Sequence, residues 1–152
     1  MTYPGDRRFA APLRRYDRCV TDHIPSTVSS SGHALLSSLA GTTSVNGADL
    51  LATRDETVTW LHAAGLLPDD AVISNSEHGA LLRLRDALRE VIDARAAGMA
   101  APDAAARLTR ALADGRLVVT VSPAGQSVLA SSARASYSNT VAALAIAVAA
   151  AW

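Results

Sequence analysis

"NSEHGALLRLRDALREVIDARAAG", residues 75–98, is the longest periodic segment of this 152-residue chain. Leu81, Leu84, Leu88, Val91 and Ile92 recur at three- and four-residue spacing, so a helix through them has one apolar side to bury. Asn75 or Ser76 opens the helix and Gly98 closes it. Arg85 breaks the pattern. On an ideal helix it lies about 40° from Leu81, inside the apolar stripe, while Arg83 and Asp86 point away. A guanidinium facing a core needs a partner, because an uncompensated buried charge is strongly unfavourable. Two readings stand. Arg85 either snorkels or pairs with an acid such as Asp49, Glu56 or Asp86, or it binds an anion in a pocket beside a short preceding helix. His78 and Arg89 flank it on one border of the stripe.

Moving toward the N-terminus, "TRDE" places Thr53 three residues before Glu56, the spacing of a capping box. The helix it opens runs through "TVTWLHAA" and stops at Gly65, with Trp60 as a packing anchor. Asn46-Gly47 marks a turn. "GHALLSSLAG", Gly32 to Gly41, reads as a short helix between glycines, and residues 1–31, with their arginines, prolines and serine run, as an irregular arm. Toward the C-terminus, "APDAAARLTRALADG" is a helix with Pro102 in its first turn and Gly115 at its end. The period then changes: "RLVVTVS", "PAGQ" and "SVLASS" give strand, turn and strand. An apolar helix follows from about Ser138. The expected fold is mostly α, a compact bundle of about five helices with one β-hairpin before the last helix, occupying residues 32–152.

Composition narrows the function. The chain is 49 % apolar but only 4 % aromatic, so its core must be built from Ala, Leu and Val. Fourteen acidic residues balance fourteen basic ones, all of them arginine. Alanine richness without lysine is the mark of a GC-rich coding bias, and the neutral balance lacks the footprint of a stand-alone nucleic-acid binder. Cys19 is the single cysteine, which excludes a disulfide framework or zinc ribbon within this sequence. No secretory signal is visible at the start, so a cytoplasmic protein is expected. The terminal apolar run is shorter than the roughly 20 residues that a membrane span requires. His33, His62 and His78 lie on three segments without a metal-ligand spacing, and no phosphate loop or nucleophile elbow occurs, so neither metal nor cofactor is expected.

Three strings taken in order carry a family resemblance: Gly32-His33-x-Leu35-Leu36, then "DLLATRDETVTWLHAAGLLP" from Asp49 to Pro68, then "LRLRDALREVIDARAAG" from Leu82 to Gly98. Together with the hairpin and last helix, they resemble the ABATE domain, the N-terminal half of CGNR zinc-ribbon proteins, a group of proposed stress-induced transcription regulators. In that family the last helix continues into a cysteine ribbon thought to contact DNA, whereas this sequence stops at Trp152. The family pattern also runs Gly-His-Leu-Ala-Leu-Asp-Phe-x-Asn-Thr. Here Ser37, Ser38, Ala40 and Gly41 stand where it has Asp, Phe, Asn and Thr. The resemblance implies a regulatory, small-molecule-binding domain without its DNA-binding ribbon.

The expected site lies between the first helix and the Leu81–Ile92 helix, with Arg85 as polar anchor and Arg89, His33, His78, Trp60 and Ser37 around it. The alternative is a cofactor-independent enzyme, a cyclase, isomerase or lyase of specialised metabolism, using His33, His78 and Arg85 as acid/base or oxyanion groups. The expected partners are a small-molecule ligand and either a second copy of the chain or a full-length family relative. The dimer is motivated by an apolar last helix that a monomer would leave partly uncovered. Neither nucleic acid nor membrane is expected as a partner.

Overall fold

Two of the helices start where side chains satisfy free backbone N–H groups. In the computed structural model, which describes residues 27–43, 47–131 and 136–152, α2 (Arg54–Ala63) is capped by Thr53. Its hydroxyl accepts from the Glu56 N–H at 3.2 Å, and the Glu56 carboxylate accepts from the Thr53 N–H at 2.9 Å. α3 (Asn75–Ala96) starts in the same way on Ser74 and Glu77, at 3.2 and 2.7 Å. The cap is therefore one residue before Asn75. Counting three residues on from Ser74 gives a glutamate, whereas the same count from Asn75 gives His78, which cannot close the box.

α1 (Thr27–Ala40) also starts earlier than expected, at Thr27 rather than Gly32. Gly32 is not a boundary but a packing position, since a Cβ there would lie 3.4 Å from the Cα and carbonyl oxygen of Ala147. Nothing between Pro25 and Gly32 breaks a helix, so α1 extends back through the serine run. The remainder of the proposed arm, with Cys19, lies outside the described residues. α4 (Pro102–Leu112) has its proline in the first turn. β1 (Leu117–Val121) and β2 (Ser127–Ser131) form an antiparallel hairpin with Val119 opposite Leu129. α5 (Ser136–Ala151) closes the fold, giving the mostly α bundle with one hairpin that the sequence predicts.

The core is aliphatic. Leu36, Leu39, Leu51, Leu61, Leu81, Leu84, Leu88, Val141 and Leu144 form one buried cluster. The last helix buries one side, where Val141, Ala142 and Leu144 are all 0 % exposed, and leaves Ala143, Ala145, Ile146 and Val148 only half-buried on the other. Two glycines admit it. Gly32 lets α1 approach Ala147, and at Gly115 a Cβ would lie 2.7 Å from the Ala142 nitrogen. Within this apolar helix the Thr140 hydroxyl donates to the Leu66 carbonyl at 2.9 Å. Apolar surface also stays open at the hairpin, where Val119, Val121 and Val128 are more than half exposed. Among the described residues, no helix is long and apolar enough to cross a membrane.

Candidate functional site

Three of the residues singled out in the sequence lie along α3 and turn to the segment that joins α1 to α2. The Arg85 side chain is 5 % exposed, and its Nη1 donates to Asp49 Oδ1 at 2.6 Å. Its Nε donates to Asp86 Oδ1 at 3.0 Å. Asp49 Oδ1 also accepts from the Leu51 N–H at 2.9 Å. Two turns before Asp49's partner on α3, the His78 ring nitrogen Nε2 lies 2.9 Å from the Leu51 carbonyl. Arg89 Nη1 donates to Thr43 Oγ1 at 2.6 Å, and Thr43 bridges back to Asp49. Together these contacts clamp Thr43, Asp49 and Leu51 onto α3.

The charges reinforce one another. The hydrogen bond from Arg85 holds the Asp49 carboxyl below its usual range, against the opposing effect of burial. Burial pulls the Arg85 guanidinium down, but the hydrogen bonds it donates to Asp49 and Asp86 outweigh this and its pKa is raised. Arg85 is thus charged and occupied by two carboxylates. Of the two readings of Arg85, the geometry realises the ion pair.

His33 and Ser37 lie elsewhere, one helical turn apart on the exposed side of α1. They meet Ile92, Arg95 and Ala96 at the end of α3, and Ala151 and Trp152 at the end of α5, around a cavity of about 380 Å³ with Leu36 in its floor. That volume falls within the ordinary range for small-molecule sites. The Arg95 guanidinium has no hydrogen bond or ion pair among the described residues, and no acidic side chain lines the cavity. His78 is 17 residues before Arg95 on α3, about 25 Å along the helix axis, so His33 and His78 belong to different places. Trp60 lies beside the clamp: it packs partly against the core and lines an open depression with Asp49, Leu50, Asp55, Glu56 and Thr59. His62 rests on the Ala71 carbonyl at 3.2 Å.

The residues missed in the sequence are Arg95 and Trp152. Arg95 follows Ile92 by three positions on one helix face, a signal that was present, whereas Trp152 reads in sequence only as the end of an apolar run. Among the described residues, no group of three or more His, Cys, Asp or Glu could hold a metal ion.

Comparison with family models matches residues 33–152 to ABATE, described as "Putative stress-induced transcription regulator". Comparison with curated proteins and with solved structures found no significant match. The match covers most of the chain, which belongs to the ABATE family.

Proposed function

We propose that this ABATE-family chain is a regulatory domain that takes a small molecule into the groove formed by His33, Ser37, Arg95 and Trp152. One observation carries the reading: a guanidinium without a partner, an imidazole, a hydroxyl and an indole converge on one cavity with an aliphatic floor. The ligand has an apolar body that rests on Leu36, Ile92 and the Trp152 indole. Its acceptor groups face Arg95, His33 and Ser37. The clamp around Arg85, Arg89 and His78 acts as the rigid back of the domain, fixing α3 against the segment that leads out of α1.

Regulation follows from where the groove lies. A ligand there ties α1 and the end of α3 to the end of α5, the point at which the family pattern leads on to a DNA-contacting ribbon. In this reading the response passes through association, with a second copy of the chain or with a full-length relative, in the cytoplasm. The enzyme alternative needs His33, His78 and Arg85 around one reacting group. Their separation along α3 favours the binding reading.

The test is native mass spectrometry on protein purified gently from its own host, repeated for Ser37→Trp, which fills the groove, and Arg95→Ala. The expected result is a retained small molecule that both variants lose while keeping the wild-type melting temperature. A clean wild-type mass, or retention unchanged in both variants, overturns the proposal.

A further inference from the structure

A second groove runs between α3 and α4 and ends at the first turn of α5, with a cavity of about 490 Å³. None of its lining residues belongs to the His33–Trp152 groove. At its end lies Tyr137, which is 8 % exposed. Its hydroxyl makes no hydrogen bond to another described residue and stays within reach of solvent at the groove, since no side-chain oxygen or nitrogen among the described residues is buried without a partner. Burial, with the negative charges of Asp114 and Glu77, pushes the phenol up to about 12 against the opposing charge of Arg83. Tyr137 therefore keeps its proton at neutral pH and presents an O–H donor to the groove.

The charges of the lining sort themselves by pairing. Arg107 is taken by Glu90 at 2.5 Å, and Asp86 by Arg85. Arg110 uses only its Nε, on the Ala106 carbonyl of its own helix at 3.3 Å. The Arg83 guanidinium has no hydrogen bond or ion pair among the described residues. Two guanidinium groups and the Tyr137 hydroxyl are thus open donors, and the Asp114 carboxylate is an open acceptor. Ala80, Ala87 and Ala111 leave room beside these groups for a small apolar substituent.

We propose that this groove binds a small carboxylate that also carries a hydrogen-bond donor, of the hydroxy-acid or amino-acid class. The carboxylate faces Arg83, Arg110 and the Tyr137 hydroxyl, and the donor faces Asp114. A neutral amide of the same shape lacks the charge that two guanidinium groups select.

The experiment is an NMR titration of the full chain at neutral pH with mandelate, lactate and serine, and with mandelamide as the neutral control. Tyr137→Phe and Arg110→Gln are titrated alongside; the first removes one oxygen and leaves the ring in place. The expected result is saturable shifts at Arg83, Arg110 and Tyr137 with at least one of the acids. Mandelamide and each variant should bind about tenfold more weakly or worse, as loss of one charge-assisted hydrogen bond implies. The proposal falls if none of the three acids gives saturable shifts, if mandelamide matches mandelate, or if Tyr137→Phe binds as wild type does. Shifts confined to His33, Ser37 and Arg95 also overturn it, since they place the acid in the other groove.

Discussion

Arg85 Nη1 stands 2.6 Å from Asp49 Oδ1, joining the middle of the longest helix to a residue 36 positions earlier. The pair is asymmetric, because the arginine side chain is 5 % exposed and the aspartate 29 %. Losing the acid therefore strands a buried cation, while losing the cation leaves an acid that water can reach. Asp49→Ala is expected to cost about 1–3 kcal/mol, limited by the remaining Asp86 contact. Arg85→Met in the same background should add little, since an apolar side chain then replaces an unsatisfied charge. Urea unfolding of the two single variants and the double variant measures the coupling. Additive losses would deny the pair its role.

The same contact sets an acid limit. Asp49 has its folded-state pKa lowered, chiefly by the hydrogen bond from Arg85. The unfolded chain therefore takes up the proton first as pH falls, and stability declines. The contribution is present above the ordinary aspartate value of 3.8 and is lost as pH drops through the lower folded value. Urea midpoints measured across this acid range should fall less steeply for Asp49→Asn than for wild type.

Tyr137 sets an alkaline limit of opposite sign. Its pKa rises from 10.0 to about 12 on folding, so the unfolded chain loses the phenolic proton first as pH rises. The stabilisation is complete below 10.0 and lost on passing about 12. Ultraviolet difference titration should show one of the three tyrosines ionising late. Tyr137→Phe should remove that late step and leave the other two.

Two glycines should respond oppositely to alanine. At Gly115 the new Cβ would lie 2.7 Å from the Ala142 nitrogen and 2.9 Å from its Cα, atoms of a helix backbone that cannot step aside. Overpacking of about 1–3 kcal/mol is expected. At Gly79, inside α3, the nearest neighbour is the end of the Arg83 side chain at 3.4 Å, which can move. Here alanine should stabilise by about 0.5–1 kcal/mol through helix propensity. Thermal melts of the two variants decide both signs.

Much of this fold was legible where the signal is local. Thr53 and Glu56 announced α2 because a capping box needs only four consecutive residues. Ser74 and Glu77 announced α3 equally well, but Asn75 and Ser76 offered competing cap oxygens and hid the true start. Arg85's need for a counter-charge was readable from its angle on the helix. Which acid would supply it was not, because the answer depends on how the chain returns between α1 and α2. His78 was harder still: its partner is the Leu51 carbonyl, and a carbonyl is present at every residue. The groove at Arg95 needs three helix ends to converge, which no periodicity records. Gly32 and Gly115 misled in an instructive way. Glycine near a helix end looks like punctuation, and at these two positions it is the notch that admits α5.

The Thr140 hydroxyl on the Leu66 carbonyl settles a further matter for α5. A cylinder of Ala, Val, Leu and Ile, nearly the same on every side, could turn about its axis or slip by a residue and bury almost as much. Hydrophobicity alone gives such a rod no preferred orientation. The hydroxyl and its acceptor work as an index mark, beside the Gly32 and Gly115 notches and the Ser131 hydroxyl that donates to Asn139. The orientation of Trp152, twelve residues further along and at the mouth of the groove, is inherited from that mark.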